Sequence, residues 1–485
     1  MALERQSQVR ASIFQASQSL LQTLSTSLGP RGLDKMLVRD KKTVVTNDGA
    51  TILKYLNRYP VHGILSNMSS AQDEECGDGT TSVVVLAGCL LERIAALLER
   101  NVHPSIICDN LEIVKRIALR YINRVKIECD KKDFVNTVNT ALSSKIVSSS
   151  SCEMAFAAIE GMEHVNGQKR RIRIIKKVGG GLDDVKAYKS ILLECDIKNL
   201  PKKVKIAVVQ FCLSAPKTNM DSKILINDSS LMDKVIQDER KYILEMCKKI
   251  KKSGCTLLIV QKSILRESLS DLASHFLKQL NILVVNSVDR KDIDYLCTAL
   301  SIQPVSEIDL LGVSSLVEVE IGEVEGMLEI KGYGCTIVLR GCDEMVVDEA
   351  ERSLNDALCV VKCLNEVPFL VPGGGSVEMG IASMLCECTE GNVYVLREIA
   401  KAFEGIPYFL AKNAGLYPVE IVSELRNELK QNECVGISVR SGHAGDMVKD
   451  DFVIQPAKVS ISMITLALET VSMILKIDDI LPARR

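Results

Sequence analysis

The sequence predicts a multidomain protein of mixed α+β and α/β character, a mostly helical body into which an α/β domain is inserted. Three observations carry this. The chain has 485 residues, more than one hydrophobic core usually serves. Apolar residues recur at helical spacings of three and four in residues 5 to 125 and again from about Val347. Between those stretches, β-rich runs alternate with helical segments in a β-α-β-α-β order.

In the first part, Ser12 to Leu28, Val83 to Leu98 and Ile106 to Val125 are the predicted helices. Thr43-Val44-Val45-Thr46 and Thr51-Ile52-Leu53 flank Asn47-Asp48-Gly49. Asp-Gly is a strong two-residue turn signal, so a β-hairpin is predicted there. In the middle, Ile206–Val209, Thr256–Val260 and Ile282–Val285 are near-continuous apolar runs, separated by helical patterns near 231–252 and 263–280. Strands of that kind belong to a sheet covered on both faces. Gly179-Gly180-Gly181 and Gly332-Tyr333-Gly334 bracket the insert as candidate joints.

Composition narrows the function. Lys and Arg number 60 against 62 Asp and Glu, and a net charge of -2 gives no general pull toward nucleic acid or anionic membrane. The most basic stretch, Lys169 to Lys177, alternates charge with apolar residues and predicts a strand with a solvated face. The 17 cysteines are scattered without Cys-x-x-Cys spacing, so a reducing, cytoplasmic compartment is expected, with Cys386 and Cys388 as packing residues. No uninterrupted apolar run approaches the 18 or so residues of a membrane span, and the N-terminus has no signal-peptide core. The five histidines are dispersed and suggest no triad or metal site.

Gly77-Asp78-Gly79-Thr80-Thr81 precedes a helix with an apolar stripe through Val84, Leu91, Ile94 and Leu98. Free amides, two glycines and two hydroxyls at one helix start can cradle a phosphate, with Asp78 placed to hold Mg²⁺ against its oxygens. Taken alone, the same residues read rather as an Asp-Gly turn with a threonine cap. Leu28-Gly29-Pro30-Arg31-Gly32 and Pro372-Gly373-Gly374-Gly375 are further loops where backbone can approach a ligand, or plain turns. No P-loop of the Walker type and no kinase motif set is present. Phosphoryl transfer to water needs a carboxylate for the attacking water, and Asp48 and Asp356 are candidates. Asp48 fits a turn as well, and Asp356 fits a solvated helix face.

Taken in order, Leu28-Gly29-Pro30, Asn47-Asp48-Gly49-Ala50-Thr51-Ile52-Leu53, Gly77-Asp78-Gly79-Thr80-Thr81, Gly373-Gly374-Gly375 and Asn413-Ala414-Gly415 resemble the signature blocks of the group II chaperonins. The resemblance spans nearly the whole chain. Gln210–Thr218, Gln261–Arg266, Glu351–Cys359 and Ile474–Asp479 narrow it to one subunit type of the eukaryotic cytosolic ring TRiC/CCT.

The resemblance implies an equatorial ATPase domain at 1–128 and 369–485, an intermediate hinge domain at 129–192 and 334–368, and an apical client-binding domain at 193–333. It implies that Leu28, Gly29, Pro30 and Gly49 line the ATP, that Gly79, Thr80 and Thr81 hold phosphates, and that Asp78 coordinates Mg²⁺. Asp48 and Asp356 act on water, Lys145 lies near the γ-phosphate, and Gly374 and Gly375 approach sugar and base. Asp356 is expected to arrive when the hinge rocks inward. Pro216 to about Arg240 takes the place of the helical protrusion that forms a built-in lid, and Asp292 to Leu300 that of a client-contacting helix. The implied partners are other subunits of a hetero-oligomeric double ring and unfolded clients such as actin and tubulin.

Two departures stand out. Gln455 occupies a position where many chaperonins carry a carboxylate near the ribose, and both chain ends are short for the family, which weakens any role resting on long tails. The rival functions are a nucleotide-binding scaffold that does not hydrolyse ATP and a metabolic enzyme with a phosphate loop. Retention of all three aspartates argues against the first, and the lack of a second reactive set against the other.

Overall fold

The computed structural model describes residues 2–39, 42–56, 59–194, 201–214, 229–263, 267–312 and 316–480. They form two compact units: residues 1–162, 176–185 and 339–485 make up the first, and 163–175 and 186–338 the second.

The first unit begins with helix α1 (Ala2–Ser25), the antiparallel pair β1 (Lys35–Arg39) and β2 (Lys42–Thr46), and helix α2 (Gly49–Tyr55). Helices α3 (Pro60–Cys76), α4 (Thr80–Glu99) and α5 (Pro104–Val125), strand β3 (Ile127–Glu128), α6 (Asp133–Leu142) and α7 (Ser151–His164) follow. The predicted hairpin is therefore displaced. β1 pairs with β2 with Arg39 opposite Lys42, and residues 49–55 are helical because Asp48 caps that helix while Ile52 and Leu53, adjacent in sequence, are both buried. A strand would have sent those two neighbours to opposite faces.

The second unit holds a sheet of β5 (Lys186–Leu193), β6 (Lys203–Val209), β7 (Leu257–Gln261), β8 (Leu283–Val288) and β9 (Val317–Val324), with β4 (Ile172–Val178) up to Ile175 and β10 (Met327–Gly341) up to Val338. Helices α8 (Ser229–Ser253), α9 (Asp271–Gln279) and α10 (Arg290–Leu300) cover it. Strands β6, β7 and β8 are parallel neighbours, as the apolar runs predicted. Alternate residues feed two cores: Ile206, Val208, Leu257 and Ile259 pack with Ile293 and Leu296 of α10. Ala207, Val209, Leu258 and Val260 pack with Ile243 and Cys247 of α8 and Leu277 of α9. Both faces are covered, so the strands carry no polar alternation.

Gly332 and Gly334 lie inside β10, where its register with β5 shifts between Lys331 and Thr336, and Gly179–Gly181 lie between β4 and β5. The basic run forms β4 after a short 3-10 turn, but Arg173 is not solvated: it pairs with Asp292 at 2.7 Å and donates to the Leu192 carbonyl. Of the protrusion segment, residues 216–228 lie outside the described residues, and the rest belongs to α8.

The chain returns to the first unit with α11 (Glu344–Glu366), β11 (Phe369–Pro372), α12 (Ser376–Glu387), α13 (Val393–Phe403), α14 (Gly405–Asn413) and α15 (Pro418–Glu428). Strands β12 (Val435–Ile437), β13 (Ala444–Asp446) and β14 (Ile454–Pro456) lead to α16 (Ala457–Leu475). The core centres on α4 and α16, packed among α1, α3, α5 and α13. Both central helices are long and apolar enough to cross a membrane by length and composition, contrary to the run count, which Glu92, Arg93 and Glu469 had interrupted. They are mostly buried inside the unit, as helices apolar on all sides are in a large core. No disulfide joins the described cysteines; Cys388 packs against this core, whereas Cys386, expected to pack, is exposed.

Candidate functional site

Within the first unit lies a cavity of about 660 Å³, lined by parts of all three glycine loops, Asp48, Lys145 and Asp356. Small-molecule pockets occupy roughly 300–1,000 Å³.

Its phosphate-sized end is the start of α4. The N-cap is Gly79 in the left-handed conformation (φ 77°), and no side chain caps the helix. The amides of the first turn are thus left for a ligand, and Thr80, Thr81 and Ser82 line the cavity. Helix α12 enters the same cavity in the same way, with Gly375 as an uncapped left-handed N-cap (φ 78°). Two helix starts therefore present donors and positive dipole ends to one space.

The loop before α4 is fixed from beneath by α3. Gln72, fully buried, donates from Nε2 to the Asp78 carbonyl at 2.9 Å, and Ser69 Oγ donates to the Thr80 carbonyl at 3.2 Å. Asp78 lines the cavity and accepts from the Gly79 amide at 2.7 Å. Burial pushes its carboxyl above the ordinary value, against the pull of that amide and of Lys145.

Asp48 has a different environment. Its carboxylate caps α2, accepting from the Ala50 and Thr51 amides at 3.2 and 2.9 Å, and takes Thr51 Oγ1 at 2.7 Å and Thr80 Oγ1 at 2.9 Å. Burial alone would raise it, but the Thr51 bonds, the Lys145 charge and the Thr80 bond outweigh burial and hold it below the usual carboxylate value. Gly49 does not line the cavity. It packs beneath the α4 start, where a Cβ would stand 2.9 Å from the Thr81 backbone, so no larger residue fits.

Asp356 is on α11 and forms an ion pair with Lys145, both side chains largely buried at the cavity wall. Its helix runs along α6 and reaches β2. At the far end, β11 pairs with β14, setting Gln455 opposite Val371, and Gly374 accepts the Ile437 amide at 2.9 Å. Gln455 lines the cavity and donates to Ser460 Oγ at 2.7 Å. Leu28, Gly29 and Pro30 line the cavity too, and Asn413 Nδ2 donates to the carbonyls of Ser25 and Leu28 at 2.7 and 2.8 Å, fixing that turn.

Every expected nucleotide-site residue except Gly49 therefore lines one cavity, although the residues come from opposite ends of the chain. The supporting residues were not legible in the sequence. Thr46, Asn47 and Glu349 act through contacts far along the chain, and Ser69 and Gln72 through contacts 11 and 6 residues on, across a turn whose shape the sequence does not show. Glu349, only 2% exposed, pairs with Arg352 at 2.9 Å and accepts from Thr46 Oγ1 at 3.4 Å; burial raises its carboxyl.

Residues 20–485 match the model of the TCP-1/cpn60 chaperonin family. The chain is 82% identical, over the full length of both proteins, to T-complex protein 1 subunit delta of Encephalitozoon cuniculi (strain GB-M1). The protein of that name from Dictyostelium discoideum is 41% identical, over 99% of this chain and 96% of its own length. The Homo sapiens one is 40% identical, over 99% and 95%.

Proposed function

The chain belongs to the TCP-1/cpn60 chaperonin family, and from that premise we propose that it is an ATP-hydrolysing, delta-type subunit of a hetero-oligomeric double ring in the cytoplasm that folds other proteins. The observation that carries the proposal is the cavity where uncapped starts of α4 and α12 meet Asp48, Lys145 and Asp356.

Phosphates sit against the α4 start, with the Thr80 and Thr81 amides as donors and Lys145 as counter-charge. Asp78 suits a magnesium ion. It is a single carboxylate on the cavity wall, with no cluster of three or more ligating side chains among the described residues, and a hard cation held there would supply charge neutralisation at the phosphates.

The two other aspartates differ in role. Asp48 accepts four hydrogen bonds and is a weak base, suited to orienting; Asp356, whose carboxylate meets Lys145 at the cavity wall and carries no such set of hydrogen bonds among the described residues, is the better placed to take a proton from water. Gln455 is the candidate ribose contact, accepting or donating as needed. The three-part division into equatorial, intermediate and apical regions at the boundaries given above is part of this proposal. So are actin- and tubulin-like clients and their contact with α10, whose exposed Lys291, Asp294 and Thr298 offer a polar surface.

Asp356→Ala in the assembled ring should bind ATP with little change and lose most of this subunit's turnover. Full turnover from the variant subunit would remove Asp356 from the reaction and favour a non-hydrolysing scaffold.

A further inference from the structure

Three consecutive residues, the last of β2 and the two that lead into α2, each grip a different element around the cavity. Thr46 Oγ1 donates to Glu349 on α11 at 3.4 Å, Asn47 Nδ2 donates to the Ser144 carbonyl at 2.9 Å, and Asp48 accepts from Thr80 at 2.9 Å. The Ser144 contact holds the loop that carries Lys145, and Lys145 pairs with Asp356. Asp356 lies seven residues after Glu349 on the same helix, which is two turns and hence the same side. The contacts close on themselves: Thr46 to Glu349, along α11 to Asp356, across to Lys145, and back through Ser144 to Asn47.

Glu349 is the unusual member of this circuit. A helix packing on a strand needs only apolar contacts, and a buried carboxylate is costly unless partnered. Here it is only 2% exposed: Arg352 brings a positive charge to 2.9 Å from Oε2, which accepts no hydrogen bond, and Oε1 accepts from a threonine that is itself fully buried. That threonine also accepts from the Asp48 amide at 3.1 Å, so one hydroxyl connects α11 to the capped aspartate.

We propose that Glu349 is a positioning residue for hydrolysis, anchoring α11 to the Asp48 turn through the Thr46 hydroxyl so that Asp356 is held at the phosphate end of the cavity. The inference rests on the hydrolytic role proposed for Asp356. It assigns Glu349 no contact with nucleotide, and the α4 start keeps its own supports from α3, so ATP binding does not depend on it.

The test uses assembled rings in which only this subunit is altered, with the turnover that Asp356→Ala removes taken as this subunit's share. Thr46→Val keeps the shape and deletes the hydroxyl, and Glu349→Ala deletes its partner. Each should cut that share about tenfold, the scale of a displaced rather than a deleted group, with ATP affinity within about twofold of wild type. Thr46→Ser and Glu349→Gln keep the donor and the acceptor and should restore most of the rate. Wild-type turnover in Thr46→Val and Glu349→Ala, alongside loss in Asp356→Ala, overturns the inference and leaves the hydrolytic role standing. Parallel loss of ATP affinity and rate overturns it too, since that marks general support of the fold. No loss in Asp356→Ala overturns the hydrolytic role and the inference with it.

Discussion

Asp48 shows how one side chain joins local structure to chemistry. The carboxylate two residues past the end of β2 caps α2 and receives the Thr80 hydroxyl from the start of α4, so its charge is satisfied before any ligand arrives. Because its folded pKa lies below the ordinary 3.8, the stability it contributes is complete above that value and is lost as pH falls through the folded one. Asp48→Ala should lower the unfolding free energy by about 1–2 kcal/mol at pH 7, the worth of a good N-cap. Wild type and variant should converge below pH 3.8. The chain has no tryptophan, so circular dichroism in denaturant is the natural probe; an offset that persists unchanged at pH 3 would count against the cap. The Asn-Asp-Gly turn signal was present in the sequence, but what Asp48 turns into was not. Asp is equally suited to a hairpin and to a helix cap, and the burial of Ile52 and Leu53 decides between them.

At the scale of elements, the site depends on helices that end in the right place. Helix α4 brings its uncapped start to the cavity, but α3 positions it, through Gln72 and Ser69. Gln72→Ala should weaken ATP binding roughly tenfold and cost about 1–3 kcal/mol of stability, since it removes a buried donor and frees the Asp78 carbonyl. Calorimetric titration with nucleotide checks the first and denaturant unfolding the second; unchanged affinity would mean that the loop holds its own shape. The long elements were legible because their periods are strong: α4, α5 and β6 to β8 fall where the apolar spacing placed them. Short elements were less so. Three residues at 51–53 are too few to separate a period of two from one of 3.6, and the glycine pair in β10 reads as a joint although the strand continues through it with a register shift. Glu349 was hidden for another reason: a glutamate on a helix is normally solvated, and of the two partners that make its burial tolerable, Arg352 and Thr46, one lies 303 residues away in sequence.

For the whole molecule, the two units divide the work unevenly. Every residue lining the cavity belongs to the first unit, and the second has cores of its own on both faces of its sheet. Nucleotide linkage therefore acts directly on the stability of the first unit alone. A ligand at 100 times its dissociation constant stabilises the state that binds it by about 2.7 kcal/mol, which corresponds to roughly a hundredfold slowing of amide exchange where exchange requires that unit to open. With saturating ADP and magnesium added to the assembled ring, amides in α2, α3, α4 and α11 should gain protection of up to that size. Amides in β6, β7 and β8 should change far less, because their hydrogen bonds break without opening the cavity. Equal protection in both sets would show that the units unfold as one, and nucleotide would then stabilise the sheet of the second unit as strongly as its own site.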